Sequence, residues 1–127
     1  KVFGFAGAHA TPYDGNQTGT TGTGTSLQPG SITPSDNGQI IIAALGFEPG
    51  ATIAINSSFL DIDTQTNYAA SANYGIAAGY LIQTSAAAVN PTFSWSGSNV
   101  AAATQMSFKA SSVAPAASSG LLLGVFE

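Results

Sequence analysis

QIIIAALGF, residues 39–47, is the stretch that decides the fold. From Ile40 to Leu45 every residue is apolar, so a strand formed here would be apolar on both sides. The preceding PSDNGQ, residues 34–39, predicts a turn, because proline fixes φ, Asp and Asn tolerate left-handed conformations, and Gly38 adopts positive φ without steric cost. We therefore expect a central strand that is entered through a tight turn and covered on each side.

Around this stretch, β-branched and aromatic residues form short runs separated by Gly, Pro, Asn, Asp and Ser, a pattern typical of all-β proteins. In residues 73–84 we predict that Ile76, Ala78, Tyr80 and Ile82 face the core. In TFSWSG, residues 92–97, Phe93 and Trp95 are expected to point inward. We predict a hairpin over 92–109 that turns at 96–99, with Val100, Met106 and Phe108 inward and the small residues of the returning strand outward.

The stretch GNQTGTTGTGTS, residues 15–26, has no apolar side chain larger than a threonine methyl group. It cannot bury enough apolar area to offset the ordering of its glycines, so we expect an exposed loop or an edge segment that pairs as an irregular strand. Two triplets match the N-glycosylation pattern, and the hydroxyl groups of the stretch are open to O-linked sugar. The glycosylation candidates are Asn16, Asn56, Thr18, Thr20, Thr21, Thr23 and Thr25.

The composition divides the chain into three parts. Residues 1–110 form the predicted β domain, residues 111–119 a flexible linker rich in Ser, Ala and Pro, and residues 120–127 an apolar tail. The tail either folds back as an edge strand or adds a strand to a neighbouring molecule. The apolar residues expected to serve assembly lie at both ends of the sequence: Val2, Phe3, Phe5, Leu121, Leu122, Leu123, Val125 and Phe126.

Charge is the unusual property of this composition. Only 6% of the 127 residues are charged, with a net charge of −4, whereas a soluble domain carries about 25%. Two basic residues cannot neutralise a nucleic acid backbone, and no apolar run is long enough for membrane insertion. The sequence begins at Lys1 on an apolar strand-like segment, which we interpret as a processed or partial chain. We expect an extracellular or virion-surface location and contact with further copies of the chain.

Few side chains are suited to chemistry. Asp61 and Asp63 lie two apart on a predicted strand and are weak candidates for a Ca²⁺ site, although a solvated strand face is the favoured interpretation. His9 is the only histidine and there is no cysteine, which excludes zinc sites built on several such ligands. No motif places His9, a serine and Asp14 as a nucleophile system. We therefore predict no enzyme activity, no metal and no cofactor. Tyr13, Tyr68 and Tyr74 leave a carbohydrate-binding module as the alternative.

Several phrases of the sequence carry a resemblance: TPYDG (11–15), SLQPGSITPSDNGQIII (26–42), AAVNPTFSWS (87–96) and AAATQMSFKA (101–110). They resemble a family of prokaryotic and phage-associated extracellular β-sandwich structural proteins. The resemblance implies an antiparallel β-sandwich of jelly-roll or immunoglobulin-like type, used in surface or appendage structures. Together with the low charge, it leads us to expect a non-enzymatic structural subunit of an extracellular filament, fibre or phage appendage that assembles through strand addition and small-residue interfaces, with adhesion as the alternative role.

Overall fold

The computed structural model describes residues 2–48, 52–68, 74–111 and 123–126, and within them every regular element is a β-strand. The all-β prediction is therefore confirmed for these residues, and none of them forms a helix that could cross a membrane. The strands are β1 (Val2–Phe5), β2 (Ala8–Leu27), β3 (Ile40–Glu48), β4 (Ile53–Ile55), β5 (Leu60–Tyr68), β6 (Tyr74–Ile82), β7 (Phe93–Ala110) and β8 (Leu123–Phe126).

Six strands form one open antiparallel sheet in the order β2-β7-β3-β6-β5, with β4 paired to the start of β7. The apolar strand β3 lies in the middle, between β6 and β7, as its uninterrupted apolar run predicts. Gly38 has φ +77° in the turn before it, which confirms the predicted backbone of that turn. The sheet is open, so β2 and β5 form its two edges.

One side of the sheet, which we call the inner face, is buried beneath irregular segments of the chain. Ile32 and Val89 form an isolated bridge in this cover, through backbone bonds of 3.1 and 2.9 Å. The cover is tied to the sheet by Gln105, whose Nε2 donates to the carbonyl oxygens of Gly30 and Val89. The core beneath it includes Ile41, Ala43, Leu45, Phe47, Ala77, Phe93, Trp95, Ala101 and Ala103.

The opposite side, the outer face, carries the residues that alternate with those of the core. Its described positions include Ile40, Ile42, Ala44, Gly46 and Glu48 of β3, Tyr74, Ile76, Ala78, Tyr80 and Ile82 of β6, and Val100, Ala102, Thr104, Met106 and Phe108 of β7. The prediction of core-facing positions is wrong for these residues of β6 and β7: Ile76, Ala78, Tyr80, Ile82, Val100, Met106 and Phe108. They are half-buried or exposed, whereas Ala77, Ala101 and Ala103 are buried.

The reason for this inversion is the space that the inner face leaves. A Cβ built on Gly75 would lie 2.3 Å from Cζ of Phe47, and one on Gly79 would lie 3.1 Å from Cδ1 of Ile55. The large side chains of β3, β4 and the start of β7 already fill the core here, so the inner positions 75, 77 and 79 of β6 hold only glycine and alanine, whereas Leu81 packs at the edge of the core. Phe93 and Trp95 do point inward as predicted, and their rings belong to this filling.

The predicted hairpin over 92–109 is also wrong, because these residues form the single strand β7. Residues 93–95 pair with β4, and residues 100–108 pair with β3, so the two halves do not pair with each other. Gly97 has φ +77° and lies between them. We infer that the Ser-Gly-Ser sequence bends β7 without reversing it, because neighbours are available on both sides of the strand.

The two ends of the chain meet in a separate two-stranded ribbon. Strands β1 and β8 pair antiparallel, with Val2 opposite Phe126, Phe3 opposite Val125 and Phe5 opposite Leu123. Within one molecule the apolar tail therefore folds back, which is one of the two alternatives left open by its sequence. The ring of Phe5 lies 5.5 Å from that of Tyr80, so the ribbon lies beside the outer face.

Candidate functional site

The threonine- and glycine-rich stretch forms part of the edge strand β2. Residues 17–24 pair in unbroken register with residues 106–99 of β7, which confirms the edge interpretation. The β-branched side chain of threonine favours extended backbone, whereas a stretch of glycine alone would have no such preference. Thr21, Thr23 and Thr25 are exposed. The far edge of β2 carries no lysine or proline between Gly15 and Ser26, and such residues are the usual means of blocking strand addition.

Beneath this edge strand the chain folds back closely on itself. The hydroxyl of Thr20 donates to the carbonyl oxygen of Gln28, and the hydroxyl of Thr104 donates to that of Thr18 at 3.0 Å. Gly30 adopts φ +98°, and a Cβ there would lie 2.7 Å from Oγ1 of Thr18. Only glycine satisfies both the conformation and this close approach. The edge strand is thus held in a defined position, which an assembling edge requires.

Asp14, also on β2, is the centre of a polar cluster that sequence reasoning missed. Its side chain is 0% exposed. The carboxylate accepts hydrogen bonds from the backbone N of Ser35 (3.0 Å), Nε2 of Gln39 (3.1 Å) and Oγ of Ser107 (2.9 Å), and Oγ of Ser35 also donates to it. Nζ of Lys109 lies 3.8 Å away. These groups stabilise a buried charge and join β2, β7 and the turn before β3.

The residues of this cluster come from three separate stretches of sequence: residues 11–15 contribute Asp14, residues 26–42 contribute Ser35 and Gln39, and residues 101–110 contribute Ser107 and Lys109. The stretches are far apart in sequence, so their shared role emerges only in the folded chain. The signal that could have found it is the single acidic residue within an uncharged strand. The cluster holds β2, β7 and the turn before β3 together.

The glycosylation candidates occupy different environments. Asn56 lies in an exposed turn, where its Oδ1 accepts from the backbone N of Thr92 at 2.7 Å and from Oγ of Ser57 at 2.9 Å. Thr18 and Thr20 are half-buried, and the hydroxyl of Thr20 is engaged. Of the threonine candidates, Thr21, Thr23 and Thr25 are the accessible ones. The side chain of Asn16 lies outside the described part.

Of the aromatic candidates for sugar binding, Tyr68 and Tyr74 are register partners on β5 and β6, whereas Tyr13 on β2 lies apart from them. Tyr13 and Tyr74 are 48% and 54% exposed. Tyr13 is opposite Phe108, whereas Tyr74 lies at the end of the sheet that holds Val100. Eight residues along a strand span about 27 Å. The side chain of Tyr68 is outside the described part, and Trp95 is buried against Phe47, with ring centroids 6.3 Å apart.

The candidates for chemistry occupy separate positions. Nδ1 of His9 accepts from the backbone N of its near neighbour Thr11 at 3.0 Å. The side chains of Asp61 and Asp63 lie outside the described part, but their backbones pair with Gly79 and Ala78, with a register shift between them. That shift breaks the simple alternation on which a shared face depends. Among the described residues, no three His, Asp or Glu side chains are grouped as metal ligands.

An apolar cavity of about 220 Å³ lies beneath β4, lined by Ile53, Ala54, Ile55, Phe59, Ala77, Ala78 and Phe93. Its lining offers shape and apolar surface but no nucleophile, acid or base. Comparison with protein-family models, with curated proteins and with solved structures gives no match. The surfaces on which a function can be argued are therefore the edge strand, the terminal ribbon and the outer face.

Proposed function

We propose that the protein is a non-enzymatic structural subunit of an extracellular filament, fibre or phage appendage, in which copies are joined by β-strand addition. The observation that carries the proposal is the terminal ribbon. Its two strands come from opposite ends of the chain and pair with each other outside the six-stranded sheet. A two-stranded ribbon is only marginally stable in water, so its pairing is suited to exchange.

Exchange would preserve the hydrogen bonds of the ribbon. When β8 of one copy pairs with β1 of the next, the same four residue pairs form between molecules as within one. Domain swapping of this kind costs little because the contacts are identical. Residues 111–122, which connect β7 to β8, span about 40 Å at full extension. Head-to-tail exchange produces an open chain of copies wherever the rotation between successive copies does not close a ring.

Two further properties support the proposal. The low charge removes repulsion between packed copies, and the small uncharged side chains of the edge strand lose little hydration on contact. The β-sandwich, of jelly-roll or immunoglobulin-like type, belongs to the proposal as well: the six-stranded sheet supplies one layer, and neighbouring copies would supply the other. Extracellular location, glycosylation at the accessible Thr residues or Asn56, and an adhesive role follow from the same interpretation.

The test is a pair of prolines in β8, Gly124→Pro with Val125→Pro. The backbone N–H groups of successive residues in a strand point to opposite sides. One of residues 124 and 125 therefore donates toward β1, and two prolines remove that donor in either case. We expect loss of filaments in negative-stain micrographs and loss of high-mass species in light scattering. The control, Ala116→Pro with Ala117→Pro, places two prolines in the linker that already holds Pro115. Filaments that persist in the β8 variant would rule out strand exchange through this ribbon.

The carbohydrate-binding alternative makes the opposite prediction. A binding module would remain a 12.6 kDa monomer and would bind glycans on an array, with binding lost on Tyr13→Ala or Tyr74→Ala. A polymer that binds no glycan favours the structural role.

A further inference from the structure

The outer face of the sheet exposes large apolar side chains on three of its strands. Ile76 is 62% exposed and Val100 58% exposed, and Leu60, opposite Tyr80 on β5, is 58% exposed. Soluble monomers rarely expose contiguous apolar patches of more than a few hundred Å², and larger ones mark contacts with other molecules. The terminal ribbon reaches this face at Tyr80, so the end around Ile76 is the uncovered one.

The register of the sheet shows how flat this uncovered end is. One cross-strand row runs Gly19, Thr104, Ala44, Ala78, and the next runs Thr21, Ala102, Gly46, Ile76. Small side chains occupy the middle of both rows, with Ile76 and Val100 standing above them toward one end. Two identical faces related by a two-fold axis can place the raised end of each against the flat middle of the other.

The charge of this face also suits a second copy of the same chain. On the outer face of β3, β6 and β7, Glu48 is the only charged residue among the described positions, and it lies at the end of β3; on the neighbouring strand β5, Asp63 is the register partner of Ala78. Two such faces can therefore approach with little like-charge repulsion at their centres. A nucleic acid, an anionic membrane or a strongly charged protein would find no complementary groups there.

Resting on the proposed function, we propose that the outer faces of two copies pack against each other and form a two-layer sandwich between molecules. With the next row, Thr23, Val100, Glu48, three rows span about 20 Å and four strands about 19 Å, which gives roughly 400 Å² of area. A standard interface buries about 800 Å² per partner, so this contact belongs to the weak class. Copies already aligned by strand exchange would present many such faces together, and avidity would then produce stable lateral association.

The test separates this contact from strand exchange by using the full chain with the two β8 prolines. In that background we expect a monomer–dimer equilibrium with a dissociation constant on the order of 100 μM, typical of weak interfaces, measured by sedimentation equilibrium up to 1 mM. Ile76→Lys with Val100→Lys should weaken dimerisation at least 10-fold, because like charges would face each other in the interface. The control, Ser31→Lys with Ser85→Lys, adds the same charge at exposed positions off the face and should leave the equilibrium unchanged.

Ala102→Lys, at an exposed small residue of the same face, serves as a second variant if the first pair does not fold. Absence of a dimer at 1 mM, or a dimer that is insensitive to lysines on the face, would overturn the inference. If the β8-proline variant still forms filaments while lysines on the face still break the dimer, strand exchange fails and the face contact stands. If filaments require β8 but no dimer forms without it, strand exchange stands and the face contact fails.

Discussion

Asp14 provides the sharpest test of how the edge strand is held. Asp14→Asn keeps the volume of the side chain but replaces one carboxylate oxygen by an NH₂ group. On one side this group would face Nε2 of Gln39 and Nζ of Lys109, and on the other the backbone N of Ser35 and Oγ of Ser107. Either orientation sets a donor against a donor, although the serine hydroxyl can turn to accept. We expect a loss of about 2 kcal/mol in the free energy of unfolding, the size of one charge-assisted hydrogen bond.

Asp14→Ala removes the carboxylate that accepts from Ser35, Gln39 and Ser107. Gln39 and Ser107 are both 0% exposed, so one N–H and one O–H would lose their partner without access to water. Each unsatisfied donor costs about 1–3 kcal/mol, and with the lost packing we expect about 3–6 kcal/mol. That is a large part of the 5–15 kcal/mol that stabilises a typical domain.

Urea denaturation followed by the fluorescence of Trp95, the single tryptophan and a buried one, measures these losses directly. The control is Asp36→Asn, which alters an exposed carboxylate bonded to Oγ of the same Ser35 and should cost less than about 0.5 kcal/mol. If Asp14→Asn and Asp14→Ala both cost less than about 1 kcal/mol, the buried cluster does not hold β2 and the reasoning fails.

Two further predictions concern the backbone. Gly75→Ala should lower the free energy of unfolding by about 1–3 kcal/mol, because its Cβ would overlap the ring of Phe47. Gly46→Ala, on the outer face with nothing within 4 Å, should raise it by about 0.5–1 kcal/mol; urea denaturation of both variants checks this, and equal effects would refute the packing argument. Ser57 has φ +63°, so Ser57→Gly should stabilise by up to about 1 kcal/mol without destroying the Asn56 glycosylation triplet. Ser31→Gly, its control, should not stabilise, and a thermal melt that ranks the two in the reverse order would contradict the turn assignment.

The sequence predicted those features that depend on local pattern. The continuous apolar run of 40–45 placed β3 at the centre of the sheet, Gly38 marked its turn, and the absence of large side chains from 15–26 marked an edge. Such features follow from strand period, turn chemistry and the number of neighbours a segment needs. They required no knowledge of which segments meet.

Features that depend on distant partners were wrong or missed. The rule that larger apolar residues face the core failed in β6, because Phe47 and Ile55 had already filled the space above Gly75 and Gly79. The hairpin at 96–99 failed because β4 and β3 offered better partners than the second half of β7 did. The cluster around Asp14 was missed because its donors come from Ser35, Gln39 and Ser107, which only the complete sheet brings together.

We propose that this nearly uncharged sheet serves to join copies of the chain. The most direct test is sedimentation velocity of the full chain without substitutions and freed of any glycan, measured over a wide range of concentration. We predict that the sedimenting mass rises with concentration, from 12.6 kDa toward an open-ended series of its multiples. A single 12.6 kDa species at every concentration, up to about 1 mM, would contradict it.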